Sequence, residues 1–185
     1  SAFLHDITER KQVEAIREHE ATHDPLTGLL NRRGMFDLLS QAIARVKRTR
    51  ASLALLFIDL DGFKQINDTH GHEAGDAVLR EVAARLQASI RQTDTAARLG
   101  GDEFTVILEN IKHGIPDANM LAQKILETLQ HPIQLDSVTA TISASIGISM
   151  HHPDDERSAD QLVNAADSAM YTAKHAGKNQ VCVHK

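Results

Sequence analysis

The chain has 185 residues, 42% of them hydrophobic, which suffices for one packed domain with an extension and excludes global disorder. A net charge of −5 with no long basic run argues against a dedicated nucleic-acid surface. The single cysteine, Cys182, excludes an internal disulfide and fits a reducing, cytoplasmic compartment. The longest strongly apolar run, Leu53 to Ile58, is too short to span a bilayer. No secretory signal opens the chain, and its first residues read as a cut within a longer protein, which leaves membrane attachment of the parent open.

Asp6-Ile7-Thr8-Glu9 has capping-box spacing and predicts a polar helix to about Ala21. Its apolar residues Ile7, Val13 and Ile16 are sparse, which suits a connector that pairs with a copy of itself better than an isolated helix. Asp24-Pro25-Leu26-Thr27-Gly28 punctuates the chain and divides it into residues 1–23 and 24–185. A helix follows over Arg33 to Lys47, then the run Leu53 to Ile58, continuous as in a strand buried on both faces. That run ends at Asp59-Leu60-Asp61, where period two puts both aspartates on one side if the strand continues.

A helix starts near Gly62-Phe63-Lys64, and a second covers about Gly75 to Ile90 with Leu79, Val82, Leu86 and Ile90 as its stripe. His70-Gly71-His72 lacks a suitably spaced third soft ligand, so loop histidines are favoured over zinc. After a hairpin around Gly100-Gly101, a helix spans about Ala118 to Gln130. Val138 to Met150 alternates cleanly and predicts one long strand with one apolar face. Ser158 and Gln161 box the start of a helix ending at Gly177, and Val181-Cys182-Val183 closes as a strand. Interleaved helices and strands make the domain α/β with a central sheet flanked by helices.

The most informative stretch is Arg98-Leu99-Gly100-Gly101-Asp102-Glu103-Phe104, running into Thr105-Val106-Ile107-Leu108. Paired glycines between strand-like runs form a tight turn and admit a ligand close to the backbone. If the strands carrying Asp59/Asp61 and Asp102/Glu103 are neighbours, their carboxylates converge at one sheet edge. Oxygen-only ligands suit Mg²⁺ or Mn²⁺, hard cations that accompany substrate phosphates; the alternative is solvated loop acids. Gly62-Phe63-Lys64 opens a helix whose free N–H groups suit a phosphate, with Lys64 adding charge. Neither a P-loop nor a dinucleotide-binding glycine fingerprint is present.

These residues resemble the GGDEF domain, the catalytic module of bacterial diguanylate cyclases, over about Asp24 to Lys185. The resemblance rests on separated blocks in order. Asp24 to Arg32 comes first, then Phe57 to Asp68, Gly71 to Asp76 and Arg98 to Phe104. Ser145-Ile146-Gly147 and Ala166 to Lys174, followed by Gly177-Lys178-Asn179, complete the set. The opening Phe3 to Gln12 resembles the exit of a PAS sensor domain, and the stretch to about His23 resembles a signalling helix.

The resemblance implies a palm-like nucleotidyl-cyclase fold that condenses two GTP into cyclic di-GMP and releases two pyrophosphates. Each domain would hold one GTP, so a homodimer is implied, with an upstream sensor in the parent protein. Asp59, the Leu60 carbonyl and Asp102 match the family's metal ligands, with Glu103 a further metal-side group. Asp102 also matches the base toward the 3′-hydroxyl, and Lys64 is implied on the catalytic, phosphate-binding side. Gly62 and Phe63 match backbone phosphate positions, and Lys174 and Lys178 are phosphate-side; Lys178 departs from the more usual arginine, so a bidentate contact becomes a point charge.

Asn67 and Asp76 match the guanine-reading pair, with His72 nearby; a carboxylate can accept from guanine N1–H and its exocyclic amine, a donor pair adenine lacks. Arg91 and Asp94 match the RxxD motif of the inhibitory product site. Outside that register an RxxD is a solvated local ion pair. Two other classes of function compete: a non-enzymatic nucleotide-binding module, and an interaction domain with a vestigial pocket. The intact acids at Asp59, Asp102 and Glu103 and the intact Asn67/Asp76 pair argue against both.

Overall fold

The computed structural model describes residues 1–185. Its elements run α1 (Ala2–Thr22), α2 (Arg32–Thr49), β1 (Ser52–Asp61), α3 (Phe63–His70), α4 (His72–Ser89), β2 (Thr95–Gly100) and β3 (Glu103–Ile111). They continue with α5 (Ile115–Leu129), β4 (Ile133–Gln134), β5 (Thr139–Ala140), β6 (Ser143–His151), α6 (Ala159–His175) and β7 (Gln180–Val183). Five strands form the central sheet in the order β2-β3-β1-β6-β7. All neighbours are antiparallel except β6 and β7.

The apolar run of β1 is central, and its residues Leu53 to Ile58 are buried on both faces, as expected. Leu53, Leu55 and Phe57 pack with Met35 and Leu39 of α2 and Leu162 and Ala166 of α6. The alternate residues Leu56, Ile58 and Leu60 pack with Val78 and Val82 of α4 and Ile125 of α5. The result is a three-layer α/β domain with α2 and α6 on one face and α3, α4 and α5 on the other.

Several expected boundaries move. The first helix starts at Ala2, capped by the Ser1 side chain, so Asp6-Glu9 is not a capping box. Asp6 instead pairs with Arg10 at 3.4 Å and Glu9 with His5 at 3.1 Å, both along the helix surface. No residue of α1 is buried, whereas Phe3, Leu4, Val13 and Ile16 are exposed. Asn31 joins this helix to the domain: its backbone N–H donates to the Thr22 carbonyl and its amide to that of Ala21. Its Oδ1 then caps α2 by accepting from Gly34 N at 2.9 Å.

His70 and His72 are not loop residues; they end α3 and open α4, with Gly71 at φ 89° between them. Only a residue without Cβ takes that φ easily, which explains how two helices abut with one residue between. The stretch from Val138 to Met150 is not one strand with a solvated face. Thr139–Ala140 belongs to a separate two-stranded sheet with β4, and β6 begins at Ser143. Both faces of β6 are buried because its small residues let α6 approach. A Cβ on Gly147 would lie 2.0 Å from the Ala166 carbonyl oxygen and 2.2 Å from Met170 N. The serines thus face a helix, and their polarity conceals burial. The boxed helix start at Ser158 and the closing strand β7 are as read from sequence.

Candidate active site

Strand β1 continues to Asp61, and β3 is its neighbour, so the two acidic clusters do meet. Asp59 stands opposite Glu103 in register, and Leu60 N donates to the Asp102 carbonyl at 3.2 Å. Directly opposed carboxylates repel across a sheet. Lys174, on α6, offsets one of them, its Nζ lying 2.9 Å from Asp59 Oδ2. Asp59 Oδ1 is buried with no hydrogen-bond partner. Burial, and then the charge of Asp59, push the Asp102 carboxyl up to about 6. Burial followed by Asp59 and Asp167 raises Glu103, and burial followed by Asp59 raises Asp167.

An orphaned, buried carboxylate oxygen facing other carboxylates is the donor set a hard divalent cation satisfies. No three acidic, histidine or cysteine side chains close on one point, so this is an open set rather than a cage. Leu60 carries no donor atom on its side chain, which is buried in the core, so only its backbone carbonyl could serve as a ligand.

Asp61, two residues from Asp59, does something else. Its carboxylate accepts from Ser143 Oγ and Ser145 Oγ at 2.8 Å each, and from Asn179 N at 3.0 Å. It is a fully occupied staple between β1, β6 and the turn before β7, not a free member of the acidic cluster. That turn holds Lys178 and Asn179 at φ 63° and 46°, both left-handed, and presents Lys178 in an exposed position. Two consecutive non-glycine residues in that region store strain of a kind that clusters at functional sites.

The hairpin tip itself is clamped. Arg98 Nη1 donates to both oxygens of Asp24, at 3.0 and 3.2 Å. Its Nε and Nη2 donate to the Gly101 carbonyl at 3.0 and 2.8 Å. Asp24 also accepts from the backbone N–H and hydroxyl of Thr27. One guanidinium therefore joins the turn after α1 to the residue preceding Asp102.

Gly62 caps α3 with φ 78°, and Phe63 and Lys64 form its first turn, leaving unbonded N–H groups at the end of β1. Asn67 lies against α4: a Cβ on Gly75 would be 1.8 Å from Asn67 Oδ1, so the Asn67 amide sits on the residue before Asp76. His72 is exposed at the start of α4. A polar cleft of about 600 Å³ opens beside Asp61 and Gly62, lined also by Gln65, Thr69, His70 and Thr139 to Ser143; Asn67, Asp76 and Lys64 do not line it.

Arg91 and Asp94 meet as a bidentate pair, with both nitrogen–oxygen distances 3.0 Å, and Asp94 also accepts from Arg91 N at 3.1 Å. The Asp94 side chain is 1% exposed and that of Arg91 59%, so the guanidinium is the accessible part. They precede β2, about 20 Å of strand from the hairpin tip.

Sequence reading assigned no role to Arg32, Asp167 or Arg98. For Asp167 a signal existed: it precedes Lys174 by seven residues, two helical turns, and so shares its face.

A family model described as diguanylate cyclase, GGDEF domain, matches residues 21–180. The chain belongs to the GGDEF family. Among its relatives is the bifunctional diguanylate cyclase/cyclic di-GMP phosphodiesterase MucR of Pseudomonas aeruginosa, 46% identical over 162 residues. That match covers 88% of this chain and 23% of MucR, so the chain spans under a quarter of that protein's length. A sensory box/GGDEF family protein from Caulobacter crescentus superposes with a TM-score of 0.80 at 46% identity, over 84% of this chain and 99% of that one. The coiled coil and GGDEF domain of DgcB from Caulobacter crescentus, in complex with c-di-GMP, gives a TM-score of 0.86 at 30% identity. It covers 98% of this GGDEF chain and 97% of that one, α1 included. No helix is long and apolar enough to cross a membrane.

Proposed function

We propose that this GGDEF chain is the catalytic part of a diguanylate cyclase, with residues 24–185 as the catalytic unit and 1–23 as the connector to an upstream sensor. Two GTP molecules, one held by each of two domains, condense to cyclic di-GMP. In each of two steps the 3′-oxygen of one nucleotide bonds to the α-phosphorus of the other. The bond from that phosphorus to the bridging oxygen breaks, pyrophosphate leaves, and the hydroxyl proton passes to a base. The observation that carries this reading is the in-register Asp59–Glu103 pair beside Asp102, with Asp59 Oδ1 buried and unpartnered.

Asp59, Asp102, Glu103 and the Leu60 carbonyl would hold Mg²⁺ or Mn²⁺, which lowers the hydroxyl pKa and neutralises charge developing on the phosphate. Without a cation, burial and Asp59 push the Asp102 carboxyl up to about 6; its place at the hairpin tip beside Asp59 is what suits it to accept the 3′-hydroxyl proton. The N-terminus of α3 at Gly62 and Phe63, with Lys64, Lys174 and Lys178, takes the triphosphate. The Asp76 carboxylate accepts from guanine N1–H and its exocyclic amine, and the Asn67 amide adds a donor and an acceptor, with His72 at the rim. Product inhibition would act through Arg91, whose exposed guanidinium suits a phosphate or the acceptor edge of guanine. For Asp94 to join, its bonds to Arg91 must open.

The test is incubation with GTP and Mg²⁺, with cyclic di-GMP and pyrophosphate measured directly. Specific activity should rise with protein concentration, since one site needs two domains. A folded chain that binds GTP but yields neither product refutes the reading.

A further inference from the structure

Arg32 has no part in the chemistry described so far. It is the first residue of α2, exposed, and its guanidinium carbon lies 6.0 Å from the centre of the Phe36 ring. Unlike Arg98 or Arg157, it takes part in no ion pair of the chain. Its place is fixed nonetheless. Leu30 is bridged to Ala97 of β2, and Arg98 N donates to the Leu30 carbonyl at 2.8 Å. The Asn31 cap then starts α2 at that point. This puts Arg32 at the same end of the sheet as the hairpin tip, on the face shared by Asp59, Glu103 and Asp167. Its charge is felt by Glu103 and by Asp167.

The domain's own triphosphate has its cations elsewhere. Lys174 is paired with Asp59, and Lys64 and Lys178 lie at the α3 and β7 ends of the site. Arg32 is carried by α2, an element that holds none of these lysines, and is exposed beside Glu103 and Asp167.

We propose that Arg32 contacts the nucleotide held by the partner domain, its guanidinium gripping non-bridging oxygens of that nucleotide's α-phosphate. The proposal rests on the two-domain condensation above. An exposed guanidinium without an intramolecular carboxylate is free to make this bidentate contact, which a lysine reproduces only as a point charge. By two-fold symmetry each domain supplies one Arg32 to the other's substrate, so each half-site is completed in trans. Binding of GTP to a single domain does not use it. Its loss should therefore appear in turnover and not in affinity.

The experiment uses the chain as it stands. Arg32→Ala should bind a non-hydrolysable GTP analogue within about 2-fold of wild type while turnover falls about 10- to 100-fold, with partial recovery in Arg32→Lys. Mixing Arg32→Ala with Asp59→Ala decides between own-domain and partner action. A mixed pair has one half-site with intact carboxylates that receives Arg32 from its neighbour. Such a mixture should form the linear guanylyl dinucleotide with triphosphate at about a quarter of the wild-type first-step rate, given random pairing. Arg32→Ala alone should form it at no more than about a tenth of the wild-type rate, below the mixture, and Asp59→Ala alone at about a thousandth or less. Wild-type turnover in Arg32→Ala overturns the proposal, as does a mixture that stays inactive while both variants bind the analogue. If the wild-type chain makes no cyclic di-GMP, the underlying function fails first, and that result is distinct from either of these.

Discussion

Replacing Arg98 by Met keeps most of the side-chain volume and removes the guanidinium that joins Asp24 to Gly101. Both ion-pair partners are largely buried, with side-chain exposures of 14% and 15%. The change leaves the Gly101 carbonyl without its donors and Asp24 with only the backbone N–H and hydroxyl of Thr27, at 2.9 and 2.7 Å. Breaking a fully buried pair costs about 3–5 kcal/mol. Because Thr27 still satisfies part of the charge, the expected loss is about 2–3 kcal/mol. For a domain of this size that is a fall in Tm of roughly 5–10 °C.

The pH dependence follows from Asp24. Against the upward push of burial, hydrogen bonds from Thr27 and then the Arg98 guanidinium hold its carboxyl below the usual value of 3.8. A depressed carboxylate contributes stability above its unfolded pKa and loses it as pH falls through the folded one. The gap between wild type and Arg98→Met should therefore be full at pH 7 and narrow below about pH 4. Urea unfolding at both pH values, with unchanged denaturant slope, measures it. A cycle with Asp24→Asn should show coupling of about 1 kcal/mol or more. A loss below about 0.5 kcal/mol at neutral pH, or a gap that widens in acid, refutes the clamp.

Four further outcomes are expected. Asp102→Asn, without divalent cation, should stabilise the fold at pH 8 by about 1 kcal/mol, discounted because the group is only partly buried. Its carboxyl is raised to about 6, so its ionisation is unfavourable above that pH, and the gain should vanish below about pH 4 in the same unfolding assay. Gly75→Ala should displace the Asn67 amide, raising the KM for GTP and shrinking the GTP-over-ATP preference while Tm stays within a few degrees; an unchanged preference would remove Asn67 from base reading. Asp59→Ala should lower kcat by about 10³-fold or more and abolish the rise in Tm that Mg²⁺ gives the wild type. Asp61→Asn should cost about 1–3 kcal/mol in chemical unfolding, because the amide keeps one oxygen for Asn179 N and Ser143 but turns its NH₂ toward Ser145, and the charge-assisted bonds become neutral ones.

Aspartates 59 and 61 show what the sequence carried and what it did not. Period two placed them on one side of β1, and the structure agrees. Their environments differ for reasons no local pattern states: Asp61 meets serines 82 and 84 positions away, while Asp59 meets the hairpin carboxylates and Lys174. Long, strongly patterned elements such as β1, α4 and α6 were legible because burial on one or two faces leaves an apolar signature. The serine-rich side of β6 was not, since a helix packs there through Gly147 and small side chains rather than through apolar bulk. Arg98 stands in a motif whose chemistry lies in its neighbours, the glycines and acids that follow it. Its bond to Asp24 spans 74 positions and becomes visible only when the turn after α1 is seen against the hairpin.

These features combine into one physical arrangement. The sheet end gathers Asp59, Asp102, Glu103 and Asp167, and burial together with the charge of Asp59 makes ionisation of the last three harder. Left alone, such a cluster would spread its carboxylates toward water. The fold prevents this with bonds made just outside it: Asp61 fastens the end of β1 to β6, Arg98 holds the turn that carries Asp102, and Gly147 lets α6 bring Lys174 within 2.9 Å of Asp59. A rigid frame around an unfavourable cluster is what preorganisation requires, since on the proposed function a cation and a phosphate would relieve the repulsion. It follows that substitutions inside the cluster and in its frame should separate by sign. Neutralising Asp102 or Glu103 should trade catalysis for stability, whereas loosening the frame should lose both.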